Sequence, residues 1–286
     1  WPLLRHNPNP RARSYLIHWM APLHVNPRIL INRYRIETDP SVKRALLLAL
    51  GEFDSESIKP VSHSQCVTLV KQSYQFDPDA GVHAAAEFLL KRWGLHPTLS
   101  QIDQLIARDA AKAISEGNES PTWYVSPSKQ SFVILNGSTF QMGSSTLEQS
   151  HHVAEALHRQ RINRRFAIAT TEVTRGQWQE FFNDRLQHVI GEEKKLLTAA
   201  WVFSLKFGDS KNLPFMGLKW FRAVEYCNWL SEQEGIPKDQ WCFEPNKQGR
   251  YGAGMIVKPN FLELSGYRLP TESEWEFALA ASRSPC

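Results

Sequence analysis

Glu272, Glu274 and Glu276 stand close together around Trp275 in "RLPTESEWEFALAA". Neighbouring carboxylates are the material of general acid–base chemistry, in which one group is held ionised and another protonated. The same residues also make a helix start. Thr271 follows Pro270, and Thr271-x-x-Glu274 has the form of a capping box. Glu272 and Glu274 then fall in the first turn, where the helix dipole favours negative charge by about 0.3–1 kcal/mol. Trp275, Ala278 and Leu279 are expected to form the buried face, and Glu276 to face solvent. The cluster is read as a helix start, not as a set of catalytic acids.

Three other groups could do chemistry. "HHVAEALH" offers His151, His152, Glu155 and His158. On a helix His151 and Glu155 could share a face with His158, but no further metal ligand is evident. Arg159, Arg161, Arg164 and Arg165 could meet phosphates, but with Arg159 and Arg161 on one strand face the run is read as a solvated edge blunted by charge. The four cysteines, Cys66, Cys227, Cys242 and Cys286, contain no Cys-x-x-Cys pair. That spacing fits neither a disulfide framework nor a zinc site, and it suits a reducing, cytoplasmic setting. No Ser-His-Asp pattern, Walker loop or Rossmann glycine set stands out.

The elements that would carry these residues fall into two parts. In the first, "DPSVKRALLLALGEF" is echoed 40 residues on by "DPDAGVHAAAEFLLKRWG", with Val42, Ala45 and Leu50 matching Val82, Ala85 and Leu90. Asp39 is placed to cap the first copy, Pro40 suits its first turn, and Gly51 stands where a left-handed terminus is expected. A period near 40 with paired helices is the range of HEAT-type solenoids. "RARSYLIHWMAPLHVNPRIL" reads as the worn remains of a third copy. A further helix is expected over 101–115, capped by Ser100, with Ile102, Leu105 and Ile106 on one face. "EGNESPTWYVSPSK" gathers Gly, Ser and Pro, so residues 116–130 are read as a linker.

From Ser131 the pattern changes. "SFVILNGSTFQMGS" predicts two short strands paired about a turn at Asn136-Gly137. "RINRRFAIATTEVT" is a second β-like run. Thr174 and Gln177 form another capping box, with Trp178, Phe181 and Phe182 on one helical stripe. A helix over 222–235 buries Ala223, Tyr226, Cys227 and Leu230 and ends at Gly235. Residues 236–267 are expected to be a long structured loop. With 286 residues, 42% of them hydrophobic, and a net charge of +4, the chain can bury a sizeable core. The charge is too mild to indicate nucleic acid. No apolar run approaches the roughly 18 residues of a membrane span.

Four blocks, "FVILNGSTFQMGSS", "ALHRQRINRRFAIATTEVTRGQWQEF", "LPFMGLKWFRAVEYCNWLSEQEG" and "GYRLPTESEWEFALAA", run in the order of the formylglycine-generating enzyme (sulfatase-modifying factor) family. The resemblance covers about 132–281. It implies an α+β fold like a C-type lectin, here incomplete, behind the HEAT-like solenoid. The organisation expected is helical repeats over 1–115, the linker over 116–130 and a truncated family domain over 131–286.

Active members of the family are understood to oxidise a cysteine of a substrate peptide to formylglycine with oxygen. They use copper(I) on two thiolates, a pairing that suits a soft cation, and many carry structural calcium. The family's copper-binding cysteines and calcium ligands lie beyond the "RLPTE.EWE" block, past a "GNVWEW"-like segment. Cys227, Cys242 and Cys286 do not stand at the ligand positions. The chain is therefore expected to be a fragment, inactive alone, with no catalytic, cofactor-binding or metal-binding residue assigned and no copper or calcium of its own. The alternative is a non-catalytic, lectin-like binding module on a helical scaffold or signalling protein. A third option, an iron-dependent sulfoxide synthase, lacks its His-x-x-x-His-x-Glu pattern in residues 1–130. Partners are expected to be proteins or peptides, without nucleic acid or membrane.

Overall fold

The computed structural model describes residues 1–7, 11–53, 63–115, 122–144, 155–188, 191–208 and 210–281. The chain divides into two compact units, Trp1–Thr170 with Glu272–Cys286, and Thr171–Thr271.

The first unit opens with helices α1 (Arg11–Trp19), α2 (Pro27–Ile36), α3 (Pro40–Gly51), α4 (His63–Phe76), α5 (Ala80–Arg92) and α6 (His96–Ser115). Their starts follow from capping chemistry. Asn26 accepts from the Arg28 amide, Asp39 from the Ser41 and Val42 amides, and Asp79 from the Val82 amide. The Asp39 carboxyl is held below the usual carboxylate range, first by the Ser41 hydroxyl. Pro27 and Pro40 stand in first turns, where no N–H is needed.

The 40-residue echo is structural as well as textual. The pair α2–α3 recurs as α4–α5, with Tyr34 and Tyr74 buried at equivalent positions. Helix α3 packs on α5. Ala45, Leu46, Leu47, Ala49 and Leu50 of α3 are wholly buried, as its near-continuous apolar sequence requires.

Gly51 corrects the expectation of a left-handed terminus. It is the last helical residue, and the cap Glu52 is right-handed. A Cβ on Gly51 would lie 2.9 Å from Phe88 Cε1, so the glycine serves close approach to α5. The Arg92 guanidinium reaches across to the Gly51 carbonyl. Helix α6 begins at His96, which puts Ser100 inside the helix rather than at its cap. Leu99, Ile102 and Ile106 are buried, while Leu105 is exposed.

Of the stretch read as a linker, residues 116–121 lie outside the described residues, and Trp123–Val125 form strand β1. Strands β2 (Ser131–Asn136) and β5 (Arg165–Ala169) complete a sheet in the order β1-β2-β5, all antiparallel. Strands β3 (Thr139–Met142) and β4 (His158–Arg161) form a second, two-stranded sheet. The hairpin expected at Asn136-Gly137 is therefore not formed: β2 and β3 do not pair with each other but belong to different sheets. Each instead pairs with one half of the later run 158–169.

Between Asn136↔Arg165 and Thr139↔Arg161, two residues face three, so the later strand carries one extra residue. Gly137 fits this crossing because a Cβ there would lie 2.4 Å from the Ile162 carbonyl oxygen and 2.6 Å from that of Arg164. The Gly137 amide donates to the Arg164 carbonyl, and Ile162 N–H to that of Ser138. Helix α10 (Glu272–Ala281) places Phe277 against Ile162 and Phe166.

The second unit holds α7 (Arg175–Leu186), α8 (Gly191–Leu205) and α9 (Trp220–Gln233), with short strands β6 (Phe243–Glu244) and β7 (Ile256–Val257). The Thr174/Gln177 capping box is formed in both directions. Trp178, Phe181 and Phe182 enter one core with Leu197, Tyr226, Trp229 and Leu230. Trp178 stacks on Phe215 at 4.7 Å. Gly235 ends the α9 segment with φ +70°. Helix α8 was not anticipated from the sequence. Its outer face exposes Leu196, Val202, Phe203 and Leu205, so the apolar residues form no single stripe. No helix among the described residues is long and apolar enough to cross a membrane.

Gly137→Ala should cost about 1–3 kcal/mol, because two backbone carbonyls must move to admit one methyl group. A lowered urea midpoint with an unchanged m-value would show it. An unaltered midpoint would mean that the crossing is looser than described.

Candidate functional site

The acidic stretch of α10 does structural work, through contacts other than those expected. Trp275 is 57% exposed and Leu279 41%, whereas Phe277 is buried and Glu274 has no exposed surface. The buried face is thus Glu274 and Phe277, one turn apart, rather than Trp275 and Leu279. The reason is electrostatic. Glu274 Oε1 lies 2.7 Å from Arg164 Nη2, at the β4–β5 connection, and the helix turns that carboxylate inward. Glu276, expected in solvent, is half-buried and accepts the Gly143 amide at 2.9 Å. Ser273 receives the Gln160 amide group at 3.3 Å. Glu274 and Glu276 thus each have a structural partner on an earlier segment, and they fasten α10 rather than facing each other as an acid–base pair.

The described thiols are similarly unreactive. Burial pushes Cys66 up to about 11 and Cys227 up to about 12, and it raises Cys242 as well. Cys242 Sγ donates to the Gly266 carbonyl at 3.3 Å. Cys227 and Cys242 share one apolar cluster with Val224 and Phe243. All three are thiols at neutral pH, whereas copper(I) needs thiolates. The residues do not fit that ion. Cys286 lies outside the described residues.

The remaining candidates are dispersed. His151 and His152 are outside the described residues. Glu155 accepts the Ser144 hydroxyl at 3.0 Å, and His158 Nδ1 donates to the Ala156 carbonyl at 2.9 Å. Among the described residues, no group of three or more His, Cys, Asp and Glu side chains could hold a metal ion. Arg159 and Arg161 are exposed on β4, Arg164 is bound to Glu274, and Arg165 begins β5. They do not converge as a phosphate cradle.

Two buried polar clusters had no clear signal in the sequence. Arg175, at the start of α7, is almost wholly buried. Its guanidinium bonds the Ser204 hydroxyl at 3.1 Å and the carbonyls of Ser204 and Gly208. It thereby satisfies the open C-terminal end of α8, where a cation is favoured. On α9, buried Glu225 pairs with Arg222 at 2.5 Å and Arg185 at 3.3 Å. One turn on, the Asn228 amide group donates to the Phe243 carbonyl at 2.7 Å and Tyr251 Oη at 2.8 Å. The available hint was a charge inside an otherwise apolar helix pattern, as at Glu225 in "RAVEYCNWL".

Comparison with known proteins places this architecture. Residues 120–285 match the model of the sulfatase-modifying factor enzyme 1-like domain, more than half of the chain. The chain belongs to that family. It is also similar to a protein of Paenibacillus barcinonensis named "Chaperone protein LppX", 29% identical over 123 residues. That alignment takes 41% of this chain and 37% of the relative, so the chain spans well under half of the relative's length. No solved structure matches the chain.

Glu274→Ala should cost about 2–3 kcal/mol, less than a fully buried pair because Arg164 keeps some exposure. A double-mutant cycle with Arg164→Ala should return a coupling energy above 1 kcal/mol in order of magnitude; near-zero coupling would sink the assignment. Cys66, Cys227 and Cys242 should stay unmodified by iodoacetamide at pH 8 in the native protein and react in urea. Peptide mass spectrometry reads both, and rapid native labelling of any one would contradict its burial.

Proposed function

We propose that the chain is a polypeptide-binding member of the sulfatase-modifying factor family, built as HEAT-type helical repeats over 1–115 joined through 116–130 to a C-type-lectin-like domain over 131–286. The observation that carries this reading is the set of exposed apolar side chains on the second unit. Leu196, Val202, Phe203, Phe207, Trp220 and Phe221 offer the surface that an unfolded or extended polypeptide covers. Each described cysteine is buried and held protonated, so none offers a thiolate to copper or to a substrate sulfur. The name of the Paenibacillus relative, a chaperone, points the same way. Three free buried thiols agree with a reducing, cytoplasmic setting.

A second reading is favoured by family membership itself: oxygen-dependent oxidation of a peptide cysteine to formylglycine by the whole protein. One pair of assays on this chain tests the binding reading. The 286-residue chain is incubated with copper, oxygen and a sulfatase-type cysteine peptide. The aldehyde is then sought by aminooxy labelling and mass spectrometry. In parallel, light scattering follows the aggregation of reduced insulin with the chain at equimolar amounts. The expected result is no aldehyde and suppressed scattering. Turnover to the aldehyde would overturn the binding reading, and unchanged scattering would remove its support.

A further inference from the structure

The C-terminal end of α8 leaves apolar side chains in water, although the backbone that carries them is held by several contacts. Phe203 and Phe207 are exposed and pack edge to face, with ring centroids 5.3 Å apart. The following segment folds back onto them. A Cβ on Gly217 would lie 2.4 Å from Phe203 Cδ1, and one on Gly208 would lie 3.0 Å from Leu213 Cδ1. Within that segment Phe215 turns inward and stacks on Trp178 and Trp201, and its amide donates to the Val173 carbonyl at 2.9 Å. Pro214 and Met216, on either side of it, are exposed. The buried Arg175 guanidinium holds the Ser204 and Gly208 carbonyls at the helix end. The exposed rings thus stand on a preformed frame, which lowers the ordering cost of covering them.

The charges around this surface have one sign. Lys206 Nζ stands 5.7 Å from the centre of the Phe203 ring, and Lys211 and Lys219 flank the segment that folds back. All three lysines are exposed. The ion pairs described in this unit involve Arg185, Arg222 and Lys258 instead. Asp209, the acidic residue between 206 and 219, lies outside the described residues. The negative end of the α8 dipole is already met by Arg175, which leaves the lysines open to a ligand. An open groove of about 440 Å³, lined by Lys194, Thr198, Ala199 and Val202 among others, runs along the preceding turns of the same helix. Glu192 and Glu193 open that helix in the sequence, so the positive excess lies at its C-terminal end.

We propose that this end of α8 is a docking surface for an acidic, apolar polypeptide segment. Its apolar side chains cover Phe203, Phe207 and Met216, while its carboxylates meet Lys206, Lys211 and Lys219. The proposal rests on the polypeptide-binding reading above and names the chemistry of the polypeptide. Lysines around an apolar patch select against basic and neutral segments more than they add affinity. A lipid surface fits less well, because Leu196, Val202, Phe203 and Leu205 are spread around α8 and form no single stripe to lie in an interface.

The test uses the full chain and three labelled peptides of equal length, in which leucine and phenylalanine alternate with glutamate, glutamine or lysine. Fluorescence anisotropy reads their binding. At low salt the glutamate peptide should bind about tenfold tighter than its glutamine twin, as three exposed ion pairs would give. That preference should vanish at about 1 M salt, where the screening length is about 3 Å. The combined substitutions Lys206→Gln, Lys211→Gln and Lys219→Gln should erase it too, with the glutamine peptide unaffected. Phe203→Ser should weaken both peptides. Equal binding of the glutamate and glutamine peptides to the unaltered chain would overturn the proposal and leave the polypeptide reading standing. Failure of all three peptides to bind would end both. A preference that survives the triple substitution would overturn the placement at α8. Tighter binding of phosphatidylglycerol vesicles or a single-stranded oligonucleotide than of the glutamate peptide would overturn the choice of partner. The salt dependence needs no variant, so the proposal can fail even if a substitution disturbs folding.

Discussion

The contact between Glu274 and Arg164 fixes how the most recognisable stretch of the chain is used. A carboxylate with no exposed surface needs a partner, and the partner is the residue at the β4–β5 connection. Satisfying that pair turns α10 so that Phe277, and not Trp275, enters the apolar cluster with Ile162 and Phe166. Glu276 on the Gly143 amide then holds the end of β3, and Ser273 meets Gln160 of β4. Helix α10 is bound to two strands that lie more than a hundred positions earlier. The family signature is thus a long-range fastener.

Helix starts were legible in the sequence because their chemistry is local. Asp39, Asp79 and Thr174 each serve amides within three residues, so a short window contains the whole interaction. The 40-residue echo was legible for a related reason: equivalent burial demands equivalent side chains at Val42 and Val82 or Leu50 and Leu90. Strand pairing was not, since Asn136-Gly137 carries a strong local turn signal that the tertiary pairing overrides. What decides there is the fit of Gly137 against two carbonyls from the run 161–165, which no local pattern reveals.

The candidate sites divide in the same way. That the glutamates at 272–276 belong to a helix start and not to an acid–base pair could be argued from spacing alone. Which of them would be buried could not, because the choice depends on Arg164. Arg175, Glu225 and His83 are charged or titratable residues within apolar patterns, and each is buried only because a distant segment supplies a partner. Ser204 and Gly208 serve Arg175, Arg185 serves Glu225, and Ser131 serves His83. Buried polar groups need such partners, so their positions mark where separate stretches of chain meet.

That principle bears on how the helices and the first sheet act together. Val125 of β1 is buried in the same apolar cluster as Leu99, Ile102 and Ile106 of α6, and Trp123 packs against it. The Trp123 indole N–H donates to the Asp77 carbonyl at 3.0 Å, and the Thr122 hydroxyl to that of Pro78. Strand β1 is therefore simultaneously an edge of the sheet and part of the helical core. Through β1 the pairing of β2 and β5 continues into the packing of α6, and its Trp123 indole ties the same strand to the loop between α4 and α5.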